Sequence, residues 1–425
     1  MRQKMNMVVA IAFVVSTLLA GHFASAQSSK PAKYNSNEVV LTWNMAAYNA
    51  MGEGYLHALL AARINAMVHL AMHDAINATN AKYETYLPVK KEAGADPEAA
   101  AAVAAHTVLV SCMPDKKNML DSLLTTSLAR IAEGNGKKRG IAIGKTCGDA
   151  IIANRAGDGA DKNPVDKLEA STAPGVYNIV PPFDFVFAPY WKTMKLFSLK
   201  KHDQFRSVPP PALNSKAYTD AFNEVKAVGG INSSTRTPDQ TSYAKFWYEY
   251  SEIGWNRMAR IVTVDRKLDL HTSARLFALL NMALADSYSA GWDSKFNYNF
   301  WRPYTAIRAA ANDGNPNTEP DTSWTSQEPT PPVPDYPSTH SVLGSAGATV
   351  LASVLGDNTS IVMVSKTPGY TGSTRTYKSF SEAAYENADS RLRAGIHFRF
   401  AFESGLEMGK QIGKWTVENH LKPLK

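Results

Sequence analysis

From Leu56 through Leu60, Ile64, Met67, Val68, Ala71 and Met72 to Ile76, apolar residues recur at steps of three and four. That period is the stripe of a buried or amphipathic helix, whereas a strand would alternate every second residue. Residues 99–110 are alanine-rich and favour the same state. Residues 118–132 repeat the stripe through Leu120, Leu123, Leu124, Leu128 and Ile131. Gly134, Gly136 and Gly140 punctuate the chain before a further helix over 141–156. The pattern resumes over 214–228, 238–262 and 268–289, where Phe277, Leu280, Leu284 and Tyr288 make one stripe. A helix over 339–355 would end at Gly356, Ser381 reads as the N-cap of a helix to Leu392, and a last helix runs over 401–419. The stretch 367–379, broken by Pro368, Gly369 and Gly372, is loop or short strand.

Between about 160 and 215 prolines interleave with Tyr, Phe and Trp, and a second proline-rich loop covers 315–336. So many aromatics argue against a disordered linker and for long ordered connections wrapped over the helices. With no internal repeat, the expectation is an all-α protein, a helical bundle with long Pro-rich connecting loops, folding as one unit over 27–425. The 425 residues suffice for a sizeable core, and 44% hydrophobic content excludes a disordered or fibrous chain.

Formal charge is +7, but the densest basic run is only Lys137-Lys138-Arg139, with no zinc pattern or aromatic-basic platform beside it. No nucleic-acid partner is expected. Residues 1–26 read as a signal peptide: Arg2 and Lys4, an apolar stretch from Met7 to Gly21, then Ala24-Ser25-Ala26 before Gln27. The expectation is export to the periplasm or the extracellular space, with no stable membrane span in the processed chain, since no later segment reaches 18 apolar residues. Cys112 and Cys147 are an even pair in such a chain and hence a candidate disulfide, the alternative being two buried thiols.

Three segments of the C-terminal third concentrate chemistry. Lys295 and Arg302 lie seven residues apart, two helical turns, a spacing that predicts both cations on one face. Tyr336-Pro337-Ser338-Thr339-His340-Ser341 stands at an expected helix start, where unpaired N–H groups and the Ser338 hydroxyl suit an oxyanion. Ser390-Arg391-Leu392-Arg393-Ala394-Gly395-Ile396-His397 adds a guanidinium and an imidazole. Taken singly, each has a bland reading as surface charge, helix start or structural histidine; it is their order that carries weight.

In that order they resemble the superfamily that joins vanadium-dependent haloperoxidases to type 2 phosphatidic acid phosphatases and bacterial acid phosphatases. Phe300-Trp301-Arg302-Pro303, Tyr385-Glu386-Asn387 and His397-Phe398-Arg399-Phe400 look like the haloperoxidase branch, and Met72-His73-Asp74-Ala75 like its exported bacterial members. The resemblance implies an active-site helical core over about 238–425. It implies that Lys295, Arg302 and Arg391 bind the oxygens of vanadate, with Ser338 and the Thr339 N–H adding hydrogen bonds. His397 would bond vanadium and His340 would be the acid–base residue. Phosphate can occupy the same cradle, with His397 as nucleophile. Three fixed cations suit a highly charged oxoanion, and a planar guanidinium can serve two oxygens at once.

Two departures stand out. Members commonly carry Asp four residues after the last histidine, where this chain has Ala401; Glu403 is a conceivable substitute. Val333 occupies a position that in haloperoxidases is often Phe or His, and Trp292 could line the halide side with it. The leading expectation is a vanadate-dependent haloperoxidase whose partners are hydrogen peroxide, halide and a small organic acceptor, either as a single chain or as a homo-oligomer. An acid phosphatase and, given Ala401, a noncatalytic oxyanion binder are the alternatives. His69 and His73 are spaced i,i+4, but Leu70 replaces the glutamate of a zinc-protease motif, so packing is preferred there.

Overall fold

The computed structural model describes residues 37–52 and 57–424. The chain is all-α, as the periodicity predicts, with two short antiparallel strand pairs: β1 (Val165–Asp166) with β2 (Val186–Phe187), and β3 (Ile361–Val364) with β4 (Thr374–Tyr377). The signal-peptide reading falls outside the described residues. Among those residues no helix is long and apolar enough to cross a membrane.

The first half contains α1 (Glu38–Met51), α2 (Ala58–Thr79), α3 (Pro97–Cys112), α4 (Lys117–Ala129) and α5 (Asn135–Asn154). Then come α6 (Lys216–Gly229), α7 (Pro238–Phe246) and α8 (Ser251–Asp265). The last elements are α9 (Leu270–Tyr298), α10 (Pro303–Ala309), α11 (Thr339–Leu355), α12 (Phe380–Arg393) and α13 (Arg399–Asn419). Their starts are encoded locally. Asp96 accepts from the N–H groups of Glu98 and Ala99 before Pro97 opens α3, and Thr237 with Gln240 forms a capping box on α7. Ser379, not Ser381, caps α12. Gly356, at φ 82°, ends α11 as expected.

Two departures bear on the site. The helix expected over 238–262 is two helices, broken at Trp247–Tyr250. There the indole of Trp247 bonds Glu386 and the hydroxyl of Tyr248 bonds the Pro329 carbonyl, so tertiary partners override continuation. In turn, α9 runs nine residues past the expected end and carries Lys295 in its last turn.

The helices form two packed groups, α2 with α3, α4 and α5, and α9 with α11, α12 and α13; α2 and α9 meet between them. Both are buried along most of their length, which is why their sequences are apolar on more than one face. One continuous core links Val39 on α1 to Leu421 beyond α13. Two pairs of parallel helices approach along glycines at four-residue spacing. A Cβ at Gly144 of α5 would lie 2.4 Å from the Ala100 carbonyl oxygen, and one at Gly409 of α13 would lie 2.1 Å from that of Val342 on α11.

The long proline-rich connection is held by buried charge. Asp286 on α9 accepts the N–H groups of Phe197, Ser198 and Leu199 at 2.7–2.8 Å. Arg155 donates to the carbonyls of Lys195 and Leu196 and stacks over the Phe197 ring. Backbone groups that a loop would leave bare are thereby satisfied in the interior.

Candidate active site

Lys295 and Arg302 converge, but not along one helical face. Asn299, in the left-handed region at φ 46°, stops α9 after Lys295, and Arg302 is the residue just before Pro303 opens α10. The chain therefore reverses between them. Both are then seated by consecutive carbonyls of the second proline-rich loop. Lys295 Nζ donates to Pro334 O at 2.8 Å and Asp335 O at 2.9 Å, while Arg302 Nε donates to Val333 O at 2.8 Å. Arg302 Nη1 also reaches Ile396 O at 2.8 Å. Arg391, in the last turn of α12, lies 5.2 Å over the Tyr248 ring, and its one hydrogen bond among the described residues is a long one, 3.5 Å, to Trp247 O.

The three cations are 0–2% exposed, yet their donors are not filled. An ammonium has three N–H groups and a guanidinium five. Lys295 uses two, and Arg391 Nε is buried without a partner. Beside them Ser338 precedes α11 as its N-cap but makes no capping bond, and its buried hydroxyl has no partner. Its own N–H is fixed by Ala401 O at 2.9 Å. Thr339 follows as the first residue of α11.

Both histidines face this cluster. Arg302 Nη1 lies over the His397 ring, 3.0 Å from Nε2 and 3.4 Å from Nδ1, and that Nδ1 is 2.8 Å from Asp335 Oδ1. His340 Nε2 is 2.9 Å from the Glu249 carbonyl, which makes Nε2 the protonated nitrogen. The Trp247–Tyr250 corner thus supplies a carbonyl to Arg391 and another to His340.

Burial, with Arg302 next, pushes Lys295 well below its usual value, and burial pulls Arg391 down to about 10. Burial, aided first by Arg391 for His340 and by Arg302 for His397, holds both imidazoles far below the usual range and therefore neutral. Burial lifts Asp335 to about 7, against the pull of Arg302 and Lys295. One carboxylate does not balance three buried cations, and a buried uncompensated charge is costly. Among the described residues, no group of three or more His, Cys, Asp or Glu side chains could hold a bare metal ion. The donor set asks for an anion with several oxygens.

A family model described as the second helical-bundle domain of VCPO matches residues 275–425, which contain all the groups just described except the Trp247–Tyr250 corner. The C-terminal part of the chain thus resembles a domain of the vanadium haloperoxidases. Vanadium chloroperoxidase of Curvularia inaequalis is 30% identical over 289 residues, 52% of this chain, and the match spans about half, 46%, of that protein's length. The crystal structure of a bacterial vanadium-dependent iodoperoxidase is 27% identical, covers 93% of this chain and all of that one, and superposes with a TM-score of 0.80. A holo-type bacterial vanadium-dependent chloroperoxidase, 17% identical over 92% of this chain and 98% of that one, shares the fold with a TM-score of 0.71.

Asp335 was not among the residues singled out from the sequence. The concern there was Ala401, at the position where superfamily members commonly carry Asp; here Ala401 is buried and contributes its carbonyl to Ser338. Glu403 is turned to Arg399 instead, 3.7 Å away. The carboxylate beside His397 comes from the proline-rich loop. A signal was present, since Asp335 is the sole acidic residue between Glu328 and Asp357.

Trp292 lies one turn before Lys295, buried, with its indole 3.3 Å from Phe187 O, and Val333 is buried with its carbonyl on Arg302. His69 and His73 are neutral core residues bonded to Asn44 and to Glu84 O. The disulfide expectation is corrected: Cys112 and Cys147 are free thiols. Helices α3 and α5 run parallel, with Ala100 level with Gly144 and Ala104 with Gly148. Cys112 therefore lies about nine residues, roughly 13 Å along the axis, beyond the level of Cys147. Its neighbours are Arg63 and Asp158, whereas Cys147 is near Asp74.

Proposed function

We propose that this chain is a vanadate-dependent haloperoxidase that uses hydrogen peroxide to oxidise halide to a hypohalous species, which then halogenates a small organic acceptor. The observation that carries the reading is the set of three buried cations with unfilled donors, gathered round an unpartnered Ser338 hydroxyl and a neutral His397. These residues fit vanadate. Lys295, Arg302 and Arg391 would hold its oxygens, Ser338 Oγ and the Thr339 N–H would add hydrogen bonds, and His397 Nε2 would bond the metal. When bound, the group supplies the Lewis acidity that activates peroxide toward halide.

The chain's own residues do the rest. In the overall reaction halide loses two electrons, peroxide is reduced to water and one proton is consumed. His340 holds its Nε2–H on the Glu249 carbonyl and keeps the Nδ1 lone pair free. As a neutral base it can take a proton from incoming peroxide and return it to the departing oxygen. The Trp247–Tyr250 corner, tied to Pro329 and Glu386, limits water around Arg391. Iodide, the halide most easily oxidised, is the first substrate we expect, in keeping with the iodoperoxidase likeness, with Trp292 and Val333 as candidate lining of the halide side. We place the enzyme outside the cytoplasm, on the signal-like character of residues 1–26.

The Asp335–His397 contact favours one second reading, because a carboxylate behind an imidazole also suits a histidine nucleophile in phosphomonoester hydrolysis. Stripped protein reloaded with orthovanadate separates the two. Peroxide-dependent iodination that needs vanadate supports the haloperoxidase. Phosphate-ester hydrolysis that vanadate inhibits and His397→Ala abolishes, without halogenation, would replace it.

A further inference from the structure

We propose that Asp335 is the positioning residue for His397: it holds the Nδ1–H so that the Nε2 lone pair points into the cradle, replacing from the proline-rich loop a carboxylate that α13 does not provide. Asp335 is fully buried, and its Oδ1 lies 2.8 Å from His397 Nδ1. Apart from the nearby Phe398 N–H, neither of its oxygens has a well-aligned hydrogen-bond partner among the described residues, so acceptor capacity remains for the imidazole. A small rotation of the ring brings the Nδ1–H into line. Arg302, 3.0 Å from Nε2 and 3.7 Å from Asp335 Oδ1, can only donate. Arg302 Nη1 is also 3.4 Å from Nδ1 and so sits over the ring, which leaves Asp335 Oδ1 as the acceptor that sets the tautomer.

The loop's backbone ties this contact to the rest of the cradle. Asp335 donates its N–H to Phe300 O at 2.9 Å and accepts Lys295 through its own carbonyl. One residue thus locates Lys295 with its main chain and His397 with its side chain. An imidazole so backed is a stronger donor to a bound metal or phosphorus, and loss of such a partner typically costs 10–100-fold in affinity. The inference rests on the oxyanion reading of the site but can be judged apart from it.

Two measurements on the full chain decide it. Proton NMR of the anion-free protein should show a downfield, exchange-protected Nδ1–H resonance that disappears in Asp335→Ala and in His397→Ala. Calorimetric titration with orthovanadate should show binding about 10–100-fold weaker in Asp335→Asn, an isosteric change that preserves packing if the alanine variant fails to fold. Affinity within twofold of wild type in folded Asp335→Asn, or a resonance that survives in Asp335→Ala, would overturn the proposal. If wild type binds no vanadate while the resonance still depends on Asp335, the oxyanion reading falls and the pairing stands.

Discussion

His340 Nε2 lies 2.9 Å from the main-chain carbonyl of Glu249, so the histidine to which we assign proton transfer is oriented by the backbone of a helix break and not by a side chain. That break is itself held by a buried ion pair. Arg257 on α8 reaches back to both carboxylate oxygens of Glu249, with Nη1–Oε2 at 3.1 Å. Removing one partner strands the other, so Arg257→Met should lower stability by about 3–5 kcal/mol. It should also reduce kcat more than vanadate affinity, because His340 loses its fixed acceptor while Lys295 and Arg302 keep theirs and Arg391 loses only a long hydrogen bond. Urea denaturation and steady-state iodide oxidation would check both parts.

Arg391 should trade stability against binding. It is a buried guanidinium with one long hydrogen bond and the Tyr248 ring beside it, so the anion-free protein recovers little of its desolvation cost. Arg391→Met should raise the melting temperature of the anion-free protein. Orthovanadate at 100 times its dissociation constant should stabilise wild type by about 2.7 kcal/mol and this variant much less. A lower melting temperature in anion-free Arg391→Met would show that the cation is compensated.

Acid should weaken the fold through His69. Burial holds it down at about 3, so the folded chain keeps it neutral while the unfolded chain protonates below its ordinary value of 6.5. The stability it contributes is present above pH 6.5 and is lost as pH falls toward 3, at about 1.4 kcal/mol per pH unit. Asp74, lifted by burial to about 7, acts with the opposite sign, losing stability as pH rises from its ordinary 3.8 to about 7. His69→Gln should flatten the acid limb, and Asp74→Asn should gain on wild type between pH 5 and pH 8. Denaturation curves at fixed pH values would separate the two.

The glycine seams predict a contrast. Alanine at Gly405 would place its Cβ 2.7 Å from Ser338 O, and at Gly144 it would lie 2.4 Å from Ala100 O. Both should destabilise, overpacking costing typically about 1–3 kcal/mol. Only Gly405→Ala should also weaken vanadate binding, since only that seam carries the start of α11. Calorimetry on the two variants is the comparison.

Gly356 marked the end of α11, and the helices were legible from apolar stripes or alanine-rich runs, as in α2, α3 and α4. The break at Trp247–Tyr250 was not, because nothing in that local sequence opposes a helix; Glu386, Pro329 and Arg257 pull it open from elsewhere in the chain. The cations and histidines of the site could be found because motif order survives distance in sequence. Their convergence was misread as a shared helical face, since the left-handed turn at Asn299 leaves no periodic trace. Asp335 was overlooked because a carboxylate in a proline-rich loop has no period to betray which side chain it will meet.

Arg302 is held by the carbonyl of Val333 and Lys295 by those of Pro334 and Asp335. Every residue type at position 333 offers that same oxygen. Its side chain is accordingly at liberty to change while the charged seat stays put. A lineage, or an engineer, could reshape the lining at that one position without rebuilding the charged seat beside it.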